Sequence, residues 1–160
     1  MIFLSLGTQK FQMNRLLKQV DEDLKNSMLE ETVFAQTGYS NYVPKYYEHV
    51  RFLDFSLFEE KMSGCNIFIT HAGTGNIVTA IQYQKPMIVV PRLKRYGEHV
   101  DDHQKEIAAK ISGESNIWVC YDCSQLSALA HSIKACPSST ELTLETKTEA
   151  LILEYMKACK

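Results

Sequence analysis

The stretch NIFITHAGTGNIVTAIQYQKPMIVVPR, residues 66–92, decides the fold of this chain. It opens with a short apolar run at residues 66–70, passes through the loop HAGTG at residues 71–75, and ends in a second apolar run at residues 85–91. The segment between the loop and the second run is long enough for a helix that ends near Tyr83. Two wholly apolar strands joined by a helix indicate a parallel pair that is buried on both faces.

The same alternation extends in both directions from this unit. Further strands are predicted at residues 2–6, 32–36, 50–55 and 116–119, and helices at residues 11–25, 56–63, 102–111, 124–134 and 144–157. Ser56 is predicted to cap the second helix, and residues 39–47, which are rich in tyrosine, to form a loop. We therefore predict an α/β fold with one doubly wound, mostly parallel, six-stranded, Rossmann-like sheet. Residues 1–160 form a single domain, whose last helix packs back on it or against a partner.

Composition and charge exclude several classes of protein. The chain has 160 residues, of which 45% are hydrophobic, and a formal net charge of −2, so nothing indicates a nucleic-acid partner. No apolar run approaches the ~18 residues that a membrane-spanning helix needs. The cysteines are odd in number and irregularly spaced, which predicts free thiols in a reducing cytoplasm. Cys120 and Cys123 lack the second pair that a zinc site needs, and we interpret them as core cysteines.

Two glycine-bearing loops follow predicted strands, at the edge where open α/β sheets bind ligands. The first contains Gly7 and Thr8, and the second is GTGN at residues 73–76, which opens a helix. Glycine lets a phosphate approach the backbone, and a helix N-terminus offers unpaired N–H groups, to which Thr74 and Asn76 can add side-chain donors. The alternative is a tight strand-to-helix turn that Thr74 or Asn76 caps. The loop has neither the Walker A pattern nor the three-glycine dinucleotide fingerprint.

Two further features lie at the same edge. His71 ends the fourth strand, where it orients the loop or contacts a ligand, unless it is a buried histidine bonded to the backbone. The polar segment RLKRYGEHVDDHQ, residues 92–104, follows the fifth strand, and its side chains suit sugar hydroxyls, although one aspartate can instead cap the next helix. Its basic residues either neutralise a diphosphate, face anionic lipid or are solvated surface charge. His99 and His103 leave a metal site as an alternative.

Three segments together carry a resemblance to a known family. Residues 70–92, EHVDDHQ at residues 98–104 and the opening at residues 2–17 resemble the C-terminal, donor-binding domain of glycosyltransferase family 28. The pattern is that of the family's single-domain forms, which include eukaryotic dolichol-linked N-acetylglucosaminyltransferase subunits and bacterial capsule and exopolysaccharide subunits. The resemblance implies the C-terminal half of a GT-B enzyme, an inverting hexosyltransferase that needs no metal for its chemistry and no cofactor.

The resemblance also assigns residues to the substrate. Gly7 and Thr8 would lie against the donor diphosphate from one side and the second loop from the other, while backbone groups near residues 52–55 would bind the uracil. Thr79 and His103 depart from the family pattern, since relatives often carry a glutamate for the ribose at the first position and a glutamine for the sugar at the second. The residues assigned to substrate binding are Gly7, Thr8, His71, Gly73, Thr74, Gly75, Asn76, Thr79, His103 and Gln104.

The implied partners are a UDP-sugar donor, a lipid-linked saccharide acceptor and a membrane-associated partner subunit. The partner would supply the acceptor-binding half, which this chain lacks, and would recruit it from the cytoplasm to the inner face of the membrane. Glu98 or His99 is the candidate catalytic base, unless the partner supplies that group. One alternative is a noncatalytic subunit that binds UDP-sugar or activates the partner. A sugar-nucleotide epimerase of the related fold would need both halves in one chain.

Overall fold

A computed structural model describes residues 1–135 of the 160-residue chain, so the helix expected at about residues 144–157 lies outside the described part. The strands are β1 (Ile2–Ser5), β2 (Val33–Gln36), β3 (Glu48–Val50), β4 (Ile67–His71), β5 (Met87–Val90) and β6 (Ile117–Val119). The helices are α1 (Asn14–Lys25), α2 (Phe55–Gly64), α3 (Thr74–Gln82), α4 (His103–Ile111) and α5 (Leu126–Ala135). Within the described residues, the strands form a wholly parallel sheet in the order β3-β2-β1-β4-β5-β6. The predicted doubly wound α/β fold is confirmed.

Each face of the sheet is covered by its own layer of helices. Ile2 and Leu4 of β1 pack in one core with residues of α1 and α5, whereas Phe3, between them, packs in a second core with residues of α2, α3 and α4. Phe3 is fully buried and its ring centroid lies 5.3 Å from that of Phe68 on β4. Full burial of such a side chain contributes about 1.5–3 kcal/mol to folding, so the central strands carry much of the stability.

The strand order reverses between β1 and β4, which lie side by side in the centre of the sheet. The chain leaves β1 toward β2 on one side and leaves β4 toward β5 on the other. The two connections therefore diverge at the carboxyl ends of the strands and leave a crevice between them, as at the ligand sites of other open α/β sheets. The fold thus brings together the two glycine loops that the sequence singled out.

Two local predictions are wrong. The third strand was expected at residues 50–55, but the edge strand is Glu48–Val50, which pairs with Phe34–Gln36 of β2. An exposed edge strand needs no apolar alternation, and the polar residues of β3 hid it. Ser56 was expected to cap α2, but the cap is Asp54, whose carboxylate accepts a hydrogen bond from the N–H of Leu57 at 2.9 Å.

The predicted tyrosine-rich loop is confirmed, and one buried carboxylate holds it. Asp21 on α1 is 3% exposed and accepts a hydrogen bond from the Tyr42 hydroxyl at 2.7 Å. It also accepts bonds from the backbone N–H groups of Lys45 and Tyr46, both at 2.9 Å. The loop therefore has a fixed path over α1, although few of its own residues are apolar and buried.

Asp21→Ala is expected to lower the free energy of unfolding by about 2–3 kcal/mol, because the N–H groups of Lys45 and Tyr46 lose a charged acceptor. Urea denaturation followed by the fluorescence of Trp118 measures this loss. Glu22→Ala, at the exposed neighbouring position on α1, is the matched control and is expected to change stability by less than about 0.5 kcal/mol. Equal losses in the two variants would contradict the assignment of Asp21 as the anchor.

Candidate functional site

The crevice between β1 and β4 is built around an imidazole that lies between two glycines. His71 is the last residue of β4 and is 5% exposed. A Cβ placed on Gly7 would lie 2.9 Å from the Cε1 atom of His71, and one on Gly73 would lie 2.8 Å from the same atom. Real Cβ atoms do not approach this closely, so both loops depend on glycine to admit the ring. The structure thus brings Gly7 and Gly73 together, as expected, but with a histidine between them.

A third glycine fixes the first loop from the other side. Gly7 and Gly38 both have positive φ angles, of 66° and 58°, a conformation that glycine adopts without steric cost. A Cβ on Gly38 would lie 2.7 Å from the carbonyl oxygen of Gly7, which also accepts a 3.3 Å hydrogen bond from the Gln36 side chain. Gly38 was not among the site residues predicted from the sequence. The available signal was its position directly after β2, at the same edge of the sheet.

The imidazole of His71 is neutral. Burial, and then the positive charge of Arg92, lower its pKa to about 3, while a hydrogen bond with the backbone of Ser5 acts in the opposite direction. The ring therefore serves as an uncharged spacer that orients both glycine loops. Its contact with a ligand stays a prediction.

The second loop presents unpaired backbone N–H groups. The N–H of Gly73 donates to the carbonyl of His71 at 2.8 Å. Within helix α3, which begins at Thr74, the first N–H with a carbonyl partner is that of Ile77, which donates to Gly73 at 3.2 Å. The N–H groups of the preceding residues belong to the first helical turn, which has no intrahelical acceptors. Helix α3, which lies wholly within the described residues, has no side-chain cap and no acidic residue in its first turn. The alternative of a turn capped by Thr74 or Asn76 is therefore wrong.

The polar side chains of this loop are less available to a ligand than its backbone N–H groups. The Asn76 amide donates to the Thr70 hydroxyl at 2.9 Å and to the Ser5 hydroxyl at 3.2 Å, so it fastens the loop to β1 and does not supply the expected donor for a ligand. The Thr79 hydroxyl donates to the Gly75 carbonyl at 2.9 Å. Gly75 itself is exposed, and a Cβ on it would meet no atom within 4 Å.

Glu98, one of the two candidate bases, has a structural role in this protein. Its side chain is fully buried, and its carboxylate accepts two hydrogen bonds from Nε of Arg15, at 2.9 and 3.1 Å. Its Oε2 atom also accepts a bond from the N–H of Leu93 at 3.0 Å. A base must reach the acceptor hydroxyl, so the geometry contradicts the expectation for Glu98. No local signal predicted this burial, because Arg15 and Glu98 are 83 positions apart in the sequence.

His99, the other candidate base, is half-buried in the same segment, and its side chain is 16% exposed. Its Nδ1 atom is 2.8 Å from Oδ1 of Asp101, and its ring centroid is 5.3 Å from that of Phe11, in the loop that follows β1. Oδ1 of Asp101 also accepts a hydrogen bond from the N–H of His103, the first residue of α4, at 3.1 Å. That bond and the neighbouring His99 lower the pKa of Asp101. The carboxylate thus orients the imidazole of His99 and accepts the first N–H group of α4, whose N-cap residue, Asp102, makes no side-chain cap bond.

The remaining assigned residues lie at the start of α4. Gln104 is buried, and its side-chain oxygen accepts a 3.0 Å hydrogen bond from the backbone N–H of Arg92. His103 is partly exposed, with Nδ1 3.8 Å from Glu106. The Gln104 side chain is therefore bonded to the end of β5, whereas the His103 side chain lies partly at the surface. Among residues 1–135, no three histidine, cysteine or acidic side chains form a group that suits a metal ion.

An aromatic cluster lies beside the crevice, where uracil binding was expected. The rings of Tyr39 and Phe52 meet edge to face, with centroids 5.3 Å apart, and the guanidinium of Arg51 lies 5.4 and 5.6 Å from the two centroids. Phe52 and Phe55 are both exposed. In the described residues, no helix has both the length and the apolar character required to cross a bilayer.

Comparison with known proteins gives one family and several relatives. The model of the glycosyltransferase family 28 C-terminal domain matches residues 1–158. The chain is 33% identical over 113 residues to the UDP-N-acetylglucosamine transferase subunit ALG13 of Debaryomyces hansenii, which covers 66% of this chain and 51% of that protein. The subunits of the same name from Candida albicans and Mus musculus are 31% identical over 102 residues and 26% identical over 161 residues.

The chain spans about half of the Debaryomyces protein, 27% of the Candida protein and 13% of the mouse protein, although the mouse alignment covers 96% of this chain. The family match extends over nearly every residue, and the six-stranded parallel sheet with flanking helices agrees with the fold that the resemblance implied. This chain belongs to glycosyltransferase family 28, as a C-terminal domain of that family.

Proposed function

We propose that the chain binds a UDP-sugar and acts as the donor-binding subunit of a glycosyltransferase. The observation that carries the proposal is the uncapped first turn of α3 beside the Gly7 loop. Its unpaired N–H groups and the positive end of the helix dipole suit a diphosphate. The family assignment and the names of the relatives, which are UDP-N-acetylglucosamine transferase subunits, support N-acetylglucosamine as the sugar.

The diphosphate is proposed to bind across the crevice. The backbone of Gly7 and Thr8 approaches it from the β1 side, and the first turn of α3 approaches it from the β4 side. Gly75 supports this placement, since no protein atom lies where its side chain would be. A glycine that the protein's own packing does not require is explained by a ligand that approaches the backbone closely. The aromatic cluster of Tyr39 and Phe52 is the proposed site of the uracil.

The proposed reaction is the attack of an acceptor hydroxyl on the anomeric carbon of the sugar, with inversion. UDP departs as negative charge develops on its diphosphate, and the N–H groups of α3 stabilise that charge. His99 takes the acceptor proton, with Asp101 holding its imidazole at 2.8 Å. Glu98 is left out of this proposal because its carboxylate is buried and bonded to Arg15. In this scheme, the transfer reaction needs no metal ion.

The acceptor and the partner are also proposals. The family resemblance supports a lipid-linked saccharide as the acceptor and a membrane-associated subunit as the protein that binds it, and the relatives are named as subunits. Such a partner would hold the chain at the cytoplasmic face of the membrane. A noncatalytic donor-binding subunit is the second candidate, and the buried position of Glu98 favours it, since one of the two expected bases is withdrawn from the crevice.

Gly75→Val is expected to weaken UDP binding by about tenfold or more, that is by at least about 1.4 kcal/mol, without a loss of thermal stability. The valine fills open space and clashes only with a bound diphosphate. Isothermal titration with UDP, ADP and GDP measures both affinity and selectivity. Gly64→Val, where a Cβ likewise meets no atom within 4 Å, is the matched control. An unchanged UDP affinity in Gly75→Val would place the nucleotide elsewhere, and equal affinities for the three nucleotides would refute uridine recognition.

His99→Gln is expected to lower kcat by about 10²–10⁴-fold in an assay with UDP-N-acetylglucosamine and the partner subunit, while leaving the UDP affinity unchanged. Asp101→Asn should give a smaller loss, because the imidazole keeps a neutral partner. The control is His131→Gln, which replaces an exposed histidine on α5. Full activity of His99→Gln would assign the base to the partner and support the noncatalytic reading of this chain.

A further inference from the structure

Arg92 is a buried cation whose side chain bonds only to carbonyl oxygens among the described residues. It follows β5 directly and is 1% exposed. Its Nη1 atom donates to the carbonyls of Phe11 and Gln12, at 3.0 and 3.1 Å, and to that of Glu98 at 3.3 Å. Its Nη2 atom donates to the carbonyl of Leu6 at 2.8 Å, whereas its Nε atom is buried without a partner. A buried charge without a carboxylate bonded to it is costly. The presence of arginine at this position therefore indicates a role beyond packing.

The nearby carboxylate compensates a different cation. Glu98 accepts hydrogen bonds from Arg15 and from the backbone of Leu93, and it meets Arg92 only through its backbone carbonyl. Two guanidinium groups therefore share one buried carboxylate. Burial lowers the pKa of Arg92 to about 10, against an increase caused by Glu98 and a further decrease caused by Arg15. The side chain remains charged near neutral pH, and the cluster carries a net positive charge.

This charge lies directly behind the first glycine loop. The Leu6 carbonyl that Arg92 binds belongs to the peptide group that enters Gly7, and Gly7 packs against the imidazole of His71. The carbonyls of Phe11 and Gln12 lie at the far end of the same loop, just before α1. Arg92 thus holds both ends of the loop. Its field also reaches the crevice, because it is the second cause, after burial, of the lowered pKa of His71.

We infer that Arg92 is a positioning residue of the donor site, which fixes the Gly7 loop through its carbonyls and favours a diphosphate through its buried, only partly compensated charge. The inference rests on the proposed function, in that the diphosphate is that of the UDP donor. Arg92 does not touch the ligand. A charge buried in a low-dielectric surrounding acts over a longer distance than a solvated one, because water and salt screen it little. A diphosphate carries about one negative charge more than a monophosphate near neutral pH, so it gains more from this field.

The test compares UDP with UMP by isothermal titration on the full chain. Arg92→Gln is expected to weaken UDP binding by about tenfold and UMP binding by about threefold or less, so the preference for UDP over UMP falls. Arg92→Lys keeps the charge and should retain that preference, although its lost carbonyl bonds weaken both ligands. Lys25→Gln, which removes an exposed cation at the far end of α1, is the control and should leave both affinities unchanged.

A second readout reports the field without any ligand. The pKa of His71, followed by imidazole NMR, should rise in Arg92→Gln and stay close to that of the wild type in Arg92→Lys. A residue that only stabilised the fold would lower the melting temperature and leave this pKa and the UDP-to-UMP ratio unchanged. Should Arg92→Gln fail to fold, Arg15→Gln decides, because it leaves Glu98 to neutralise Arg92. A lowered UDP-to-UMP ratio in that variant supports the inference and an unchanged one overturns it.

The two proposals fail in different ways. If the wild type binds UDP and every variant keeps the same UDP-to-UMP ratio, the inference about Arg92 is overturned and the proposed function stands. If the wild type does not prefer UDP to ADP and GDP, the proposed function fails and this inference fails with it. An unchanged His71 pKa in a folded Arg92→Gln would overturn the electrostatic part on its own.

Discussion

The contact of the His71 ring with Gly7 and Gly73 is the constraint on which the crevice depends. The ring fills the gap that opens where the connections from β1 and β4 diverge, and only residues without a Cβ leave it room. It must also be neutral, because a second buried cation beside Arg92 would be costly. A small, uncharged and rigid side chain thus sets the distance between the two loops. Gly38 completes the arrangement by supporting the carbonyl of Gly7.

The described part of the fold could be predicted from the sequence because its signals are local. The apolar runs of β4 and β5, with a glycine loop and a helix between them, are typical of a parallel unit, and the glycines mark where the chain turns. Edge strand β3 was misplaced because its exposed residues carry no apolar pattern. The periodicity of a sequence reports burial, and it is weakest where a strand has one open side.

The candidate site could be predicted only as far as its backbone. Glycines after strands point to close approaches whatever surrounds them, so Gly7 and Gly73 were found. The roles of Glu98 and Asn76 were not predicted, because each depends on a partner that is distant along the chain. Glu98 pairs with Arg15, and Asn76 donates to Ser5. A cluster of polar residues in a loop has the same appearance in a sequence whether it faces solvent or a buried guanidinium. Contacts between residues far apart in the sequence decide which of the two applies, and no local sequence pattern reports them.

The strand order has a consequence for how the chain folds as it is synthesised. β1 is made first, yet it ends in the middle of the sheet, paired on one side with β2 and on the other with β4, where Ile2 aligns with Ile67. Its apolar residues stay unpaired on the β4 side until Ile67 and its neighbours have been synthesised. A nascent chain in this state exposes an unpaired strand edge, which is prone to aggregation. We therefore expect chaperones to bind the nascent chain at this stage.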